Sequence, residues 1–184
     1  MRFFRKSPIE QLAVTMPGVK LGDRVLVGGC SDPQLIAALA AKTGLTGRAC
    51  AADESPQRTE EAARVALAEG ALLETITAPL AALPLDDASF DIVVLRDVLL
   101  DESEDARVRI VREAWRVLRP GGRCVAIQSI ARGGLGKLLR GGSTPLTDAA
   151  GATRAFQSAQ FRGVRTLAER DGLAFVEGTK PAGS

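Results

Sequence analysis

The sequence predicts an α/β fold, a doubly wound and mostly parallel sheet of seven strands that ends in an antiparallel hairpin. Three observations predict it. Short apolar runs alternate with segments of helical periodicity, residues 90–129 have the pattern of one strand, helix and strand unit, and two strand-like runs flank Asp171-Gly172 near the C-terminus. No internal repeat or low-complexity segment interrupts the alternation. We therefore expect a lead-in over residues 1–20 and a single domain over 21–184.

In the first half of the chain, capping residues and prolines predict where helices begin. A short helix is expected over 8–14, within the lead-in. Asp32-Pro33 and Ser55-Pro56 each place a capping side chain before a proline, which suits the first helical position. The predicted strands of this half are 23–27, 47–52 and 72–78, and the predicted helices between them are 33–42 and 56–69.

Residues 90–129 predict a parallel crossover unit. The apolar run 92–95 follows an acidic turn and is typical of a strand buried on both faces. Ile110, Ala114 and Val117 then recur at helical spacing between arginines. Pro120-Gly121-Gly122 is expected to end the helix in a tight turn before a fifth strand over 124–127. A crossover of this kind joins parallel neighbours.

Composition excludes several classes of function. The chain has 184 residues, of which 46% are apolar and 25% charged, with a net charge of +2, so we expect one globular core and no nucleic-acid partner. The basic N-terminus is not followed by an apolar run, which predicts no membrane segment and a cytoplasmic location. Histidine and tyrosine are absent, so a Ser-His-Asp triad is excluded and any general base is a carboxylate, a lysine or a cysteine.

The three cysteines are expected to be structural. Cys30, Cys50 and Cys124 lie in or just after apolar strands and have no metal-type spacing. We therefore predict buried, reduced thiols and no metal site.

Two motifs resemble those of the class I S-adenosylmethionine-dependent methyltransferases, particularly the type 11-like domains that act on small molecules. Leu83–Asp91, LPLDDASFD, is similar to the family's approach to its fourth strand, and Glu113–Gly122, EAWRVLRPGG, to the approach to its fifth. The C-terminal hairpin resembles the family's sixth and seventh strands. The resemblance covers about residues 22–181. It implies a Rossmann-like methyltransferase fold, S-adenosylmethionine as the cofactor and a small molecule as the methyl acceptor.

The family's first motif is altered in this chain. That motif is an acidic residue followed by three glycines at alternate positions, and here the segment 27–33 is VGGCSDP. The resemblance implies that Gly28 and Gly29 bind the cofactor, although Val27, Ser31 and Pro33 replace the other motif residues. Asp32 is a good helix cap, but its carboxylate would repel an anionic group at the same helix N-terminus. The alternative is a turn kept only for folding.

The second motif is closer to the family's. Residues 51–56, AADESP, resemble "VDxSP", which implies that Asp53 accepts hydrogen bonds from the ribose hydroxyls, with Glu54 beside it. The alternative is that Asp53 or Ser55 caps the following helix. The third motif falls on Ala78-Pro79 and lacks its usual side chain, so Leu80 is expected to pack on the adenine.

The same resemblance implies that the residues after the fourth strand face the reacting end of the cofactor. It implies that Arg96 binds the cofactor and that Asp97 acts in catalysis, with Gln128 and Ser129 as weaker candidates. Methyl transfer depends mainly on positioning, so a strong base is optional. The alternative is that Arg96 and Asp97 form a strand-end ion pair. The glycine-rich, basic segment 131–145 lacks phosphate-loop spacing and is interpreted as a substrate cover or a plain linker.

Two functions therefore stay open from the sequence. The first is an S-adenosylmethionine-dependent methyltransferase of an unidentified small molecule. The second is a methyltransferase-like binding or assembly module that has lost catalysis. A nicotinamide oxidoreductase is disfavoured because the G-x-G-x-x-G pattern is absent. Little sequence precedes the first strand, so we expect a substrate face that is open or completed by a homo-oligomer or partner subunit.

Overall fold

The computed structural model describes residues 8–130, 149–170 and 172–183, and within them it has seven strands in one sheet of order β3-β2-β1-β4-β5-β7-β6. The predicted fold class is confirmed. The elements are α1 Pro8–Thr15, β1 Arg24–Gly28, α2 Pro33–Thr43, β2 Arg48–Asp53, α3 Pro56–Ala68, β3 Glu74–Thr77, β4 Phe90–Arg96, α4 Glu104–Val117, β5 Leu118–Ser129, α5 Ala149–Ser158, β6 Arg162–Arg170 and β7 Leu173–Thr179.

The strand order reverses at β1, which pairs in parallel with both β2 and β4. Gly28 at the end of β1 is level with Ala52 on one side and Leu95 on the other. The carboxyl ends of three strands therefore meet at one edge of the sheet. In open α/β sheets this reversal point is where ligands bind.

Both faces of the sheet are covered, as the doubly wound prediction requires. Successive residues of β1 and β4 alternate between two buried clusters, one beneath α4 and α5 and the other beneath α1 and α2. Residues 13 and 19 of the lead-in belong to the second cluster. Among the largest fully buried side chains are Phe90 and Phe156 in the first cluster, and Ile36, Leu39 and Phe175 in the second.

The predicted tight turn at Pro120-Gly121-Gly122 is wrong. Helix α4 ends at Val117, and β5 continues from Leu118 without a turn. A register shift against β4 absorbs the glycines, while Gly121 N donates to Lys180 O at 3.0 Å and Lys180 N donates to Gly122 O at 2.8 Å. The segment is thus a bulged strand held by a distant residue. The third strand is also shorter than predicted, and α5 was not predicted.

The C-terminal hairpin is confirmed, since β6 and β7 pair antiparallel from Arg162↔Thr179 to Arg170↔Leu173. Asp171 of the predicted hairpin turn lies outside the described residues, and so does the segment 131–145. Within the described ranges, no helix is long and apolar enough to cross a membrane.

The two stretches that carry the family resemblance contact each other. Glu113 on α4 accepts a hydrogen bond from Leu83 N at 2.7 Å and pairs with Arg116 at 2.7 Å. Arg116 also donates to the carbonyl oxygens of Leu83 at 3.1 Å and Leu85 at 2.8 Å. Helix α4 therefore fixes the loop between β3 and β4, which carries Leu80.

The Glu113 carboxyl is held in its charged form. Burial alone would raise its pKa, but hydrogen bonds from Arg116 and from Leu83 N more than offset burial and leave the pKa below its ordinary value. A carboxyl whose pKa is lowered by folding contributes stability above its unfolded pKa, and this contribution is lost as the pH falls.

The end of β1 is shaped by Gly29. Its φ is +91°, a region that side chains rarely adopt, and its N–H donates to Ala52 O at 2.9 Å. A Cβ built at this position would overlap Arg96 O and the Val98 side chain. Gly29 therefore lets the chain leave β1 tightly against the end of β4.

Replacing Glu113 should destabilise the protein in a pH-dependent way. We expect Glu113→Gln to lower the free energy of unfolding at pH 7 by about 1–3 kcal/mol, because charge-assisted hydrogen bonds are lost. The difference in unfolding free energy between this variant and the unmodified protein should shrink as the pH falls below about 4. Urea unfolding from pH 7 to below about pH 4 measures this difference, and Glu60→Gln, at an exposed position, is the control. A gap that is constant with pH would contradict the assignment.

Gly29→Ala should cost more than the same change at Gly70, where φ is +71° but no atom lies within 4 Å of the added carbon. We expect about 1 kcal/mol at Gly70 from the left-handed backbone alone. At Gly29 the overlap adds to this cost, for a total of about 3 kcal/mol or more. Denaturant unfolding of both variants measures the difference, and equal losses would show that β1 and β4 do not crowd Gly29.

Candidate functional site

A cavity of about 320 Å³ opens at the carboxyl ends of β1, β2 and β4. This volume is at the low end of the range for ligand sites, roughly 300–1,000 Å³. The structure brings most of the predicted site residues together there. It does not bring Gly28, where an added Cβ would meet Leu95 and Leu80, or the weaker candidates Gln128 and Ser129. The lining residues are Gly29, Ser31, Asp53, Glu54, Arg58, Leu80, Arg96, Asp97, Val98, Leu100, Glu102 and Ile110.

Two other cavities, of about 230 and 360 Å³, lie near the C-terminal end of α4. Both are lined by Trp115 and Gln160, and neither contains a predicted site residue. The cavity at the strand ends is therefore the candidate site, since it coincides with the point where strand order reverses.

Asp53 is the most constrained side chain of the cavity. It ends β2, and the residue is only 4% exposed. Its Oδ2 accepts a hydrogen bond from Cys30 N at 2.7 Å, and its Oδ1 accepts one from Ser55 N at 2.8 Å. The carboxylate thus ties the turn after β1 to the turn after β2. Such backbone donors stabilise a buried charge.

The alternative that Asp53 or Ser55 caps α3 is confirmed for Ser55 and not for Asp53. Ser55 is the N-cap of α3, and its hydroxyl accepts a hydrogen bond from Arg58 N at 3.4 Å. Asp53 therefore keeps its carboxylate at the cavity. Its predicted role toward a ribose stays a prediction.

Arg58 is a site residue that sequence reasoning missed. Its Nε lies 2.9 Å and its Nη2 2.7 Å from Asp53 Oδ1, although the Arg58 side chain is 54% exposed. A carboxylate offers about four acceptor positions. Ser55 N and Arg58 occupy those of Oδ1, so Oδ2 keeps the spare capacity. The available signal was spacing, because Arg58 follows Asp53 by five residues and lies in the first turn of the helix.

Arg96 and Asp97 form the strand-end ion pair that was weighed as an alternative. Arg96 Nη1 lies 2.5 Å from Asp97 Oδ2 and donates to Ser129 Oγ at 3.2 Å. Asp97 accepts from Ser129 N at 2.6 Å and from Ser129 Oγ at 3.0 Å. The Asp97 carboxylate is thus already engaged by three partners. This geometry favours orientation over proton abstraction, and its catalytic role stays a prediction.

The start of α2 also contacts Arg96. Asp32 caps α2 by accepting from Leu35 N at 3.1 Å through Oδ1, as expected. Its Oδ2 lies 3.7 Å from Arg96 Nε. The sequence did not predict that the acid at this helix N-terminus would be paired with a base from β4.

The electrostatics of the cavity are acidic. Four carboxylates, those of Asp53, Glu54, Asp97 and Glu102, face two guanidinium groups. Burial raises the pKa of the nearby Cys30 thiol to about 12, and the Asp53 carboxylate adds to this. The thiol is therefore neutral and is no nucleophile. All three cysteines are free and buried, as predicted. Among the described residues, no cluster of acidic or cysteine side chains could hold a metal ion.

Similarity to known proteins agrees with this architecture. The chloroplastic 2-phytyl-1,4-beta-naphthoquinone methyltransferase of Arabidopsis thaliana is 34% identical over 118 residues, which cover 62% of this chain and 44% of that protein. This chain therefore matches less than half of that relative's length.

Two solved structures show the same fold. A methyltransferase from Aquifex aeolicus, described as SAM-dependent, has a TM-score of 0.72 and 18% identity, covering 94% of this chain and 93% of that one. A [4+2]-cyclase has a TM-score of 0.73 and 19% identity, covering 95% and 80%. One fold thus carries different named activities.

The family model that describes a methyltransferase domain matches residues 26–126, from within β1 to within β5. This span includes the end of each strand that borders the candidate cavity, and both stretches on which the resemblance depends. The chain belongs to the methyltransferase domain family.

Proposed function

We propose that this chain is an S-adenosylmethionine-dependent methyltransferase of a small molecule with an apolar body. The observation that carries the proposal is Asp53, a buried carboxylate held at the cavity by two backbone N–H groups. A carboxylate at the end of the second strand is the acceptor that a ribose diol requires. S-adenosylmethionine, when bound, supplies an electrophilic methyl group on a sulfonium.

The lining residues fit the parts of this cofactor. Leu80, which is 9% exposed, offers an apolar surface for the adenine. Asp53 Oδ2 accepts from a ribose hydroxyl, with Glu54 at the edge of the cavity. Gly29 and Arg96 border the region left for the methionine part. The acidic lining favours the net positive charge of S-adenosylmethionine over the neutral product.

The acceptor is proposed to lie against Val98, Leu100 and Ile110, the apolar residues of the lining. This surface suits a planar or branched apolar molecule, and the relative named for a naphthoquinone is consistent with such an acceptor. Asp97 holds Arg96 and Ser129 in place rather than abstracting a proton. We therefore expect an acceptor that needs little base catalysis, so that placement supplies most of the rate.

The remaining expectations are part of the proposal. A cytoplasmic location and a second subunit over the substrate face stay predictions. The inactive binding module is an outcome of the first test below.

Isothermal titration calorimetry with S-adenosylhomocysteine tests cofactor binding. We expect binding to the unmodified protein, and a loss of about tenfold or more in Asp53→Asn, because the amide lacks the charge that strengthens the ribose hydrogen bonds. The exposed Asp105→Asn serves as control. Circular dichroism melting separates lost binding from lost folding. No heat at millimolar ligand would overturn the proposal and favour the inactive module.

Arg58→Gln should strengthen binding, although Arg58 lines the cavity. The change removes a competitor for Asp53 Oδ1, so both carboxylate oxygens become available. The gain should be up to about fivefold, since a half-exposed ion pair contributes roughly 1 kcal/mol or less. Isothermal titration calorimetry measures this gain in affinity. The control is Arg64→Gln, which changes an exposed arginine of α3 paired with Glu61. Weaker binding in Arg58→Gln would show instead that Arg58 contacts the ligand.

A further inference from the structure

We infer that Asp32 and Arg96 together bind the amino-acid part of the cofactor, with Arg96 taking its carboxylate and Asp32 its ammonium. The inference rests on the proposed function. It assigns binding of the amino-acid part to the side chains of Asp32 and Arg96, because the first motif has lost glycines whose backbone would otherwise approach that part. Neither Asp32 nor its pairing with Arg96 follows from the family motif, because the chain departs from that motif at this turn.

Arg96 keeps a buried donor that has no acceptor within the described part of the chain. Its Nη1 is engaged by Asp97 at 2.5 Å and by Ser129 Oγ at 3.2 Å, which fixes the guanidinium plane. Its Nε is buried and makes no hydrogen bond to any residue that the structure describes. A buried donor without an acceptor is costly, and an oxygen of a bound ligand would remove that cost. Arginine suits a carboxylate because its donors form a planar fork.

Asp32 has one acceptor left to offer. Its Oδ1 is committed to Leu35 N as the helix cap. Among the residues that the structure describes, its Oδ2 contacts only Arg96 Nε, at 3.7 Å, beyond hydrogen-bond distance, and the Asp32 side chain is 34% exposed. Asp32 does not itself line the cavity, but it follows Ser31 and pairs with Arg96, which both do, and the inference places a ligand ammonium at this oxygen. Val27 cannot supply the carboxylate that the family's first motif has nearby.

The arrangement resolves the repulsion expected from the sequence. Alone, Asp32 would repel an anion at the start of α2. With Arg96 beside it, the Asp32 carboxylate lies 3.7 Å from a guanidinium whose other side is held by Asp97. An α-amino acid group carries an ammonium and a carboxylate on the same carbon. Two oppositely charged side chains thus match a zwitterion, whereas a simple anion would find only one of them attractive.

Three nucleosides separate the two contacts by calorimetry. S-adenosylmethionine has a sulfonium and both charged groups of the amino acid, and decarboxylated S-adenosylmethionine lacks only the carboxylate. 5′-Methylthioadenosine lacks the whole amino-acid part and the sulfonium charge. We expect the unmodified protein to bind S-adenosylmethionine about tenfold more tightly than the decarboxylated form, because the latter lacks the charge-assisted contact with Arg96. Arg96→Gln should equalise or reverse this order, because the remaining lining is acidic.

Asp32→Asn gives an independent measurement, since asparagine is as good a helix cap as aspartate. It should weaken both ammonium-bearing nucleosides by about fivefold or more and leave 5′-methylthioadenosine unchanged. Arg109→Gln, an exposed arginine of α4, is the control for Arg96. Unchanged binding of 5′-methylthioadenosine shows that each variant is folded.

The outcomes distinguish this inference from the proposed function. If the unmodified protein binds all three nucleosides equally, the inference is overturned and cofactor binding stands. A preference for S-adenosylmethionine that survives in Arg96→Gln also overturns it, and assigns Arg96 to the acceptor instead. If the protein binds none of the three, the proposed function fails and the inference fails with it.

Discussion

The site depends on one buried carboxylate. Asp53 is 4% exposed, and a charge so placed persists only if strong donors surround it. Cys30 N and Ser55 N are those donors, and they belong to the turns after β1 and β2. The same bonds that stabilise the charge therefore fix the relative positions of two turns. Folding therefore already fixes the two turns at the edge of the sheet. Little reorganisation of these turns is needed when a ligand binds.

The residues that identify the family have a physical task that differs from binding. Glu113 and Arg116 join α4 to the loop at Leu83 and Leu85, so the two recognisable motifs are the two sides of one contact. This contact joins Leu83 to Glu113, 30 residues later in sequence, and so holds the loop that places Leu80 at the cavity. Such a scaffold can persist while the lining side chains change. Family membership and ligand preference are thus carried by different residues, and the first does not determine the second.

The sequence predicted the fold well because its signals are local. Buried strands give apolar runs, and Asp32-Pro33 and Ser55-Pro56 begin the helices as expected. The failures arose where a distant residue decides the local structure. Pro120-Gly121-Gly122 satisfies every local rule for a turn, and Gly121 does have a positive φ, but hydrogen bonds with Lys180 hold the segment as a bulge within β5. Arg58 was missed although its spacing from Asp53 was visible, because spacing alone does not distinguish a helical arginine that turns back to the strand end from one directed to solvent. The pairing of Asp32 with Arg96 likewise depends on β4 lying beside β1.

The altered first motif has a different meaning once the backbone is known. Glycine is needed where φ is positive or where the chain approaches closely, and in the turn from 27 to 33 this holds at Gly29, the only residue there with positive φ. Position 31 lies one residue before the N-cap of α2 and has no positive φ, and position 33 is the first residue of the helix, where proline is favoured. Replacing those glycines therefore leaves the turn intact and changes only what it presents to a ligand. A bare backbone is one way to accept a charged group, and a fixed pair of opposite side-chain charges is another. The loss of the glycines alone is consequently no evidence that the cavity has lost its ligand.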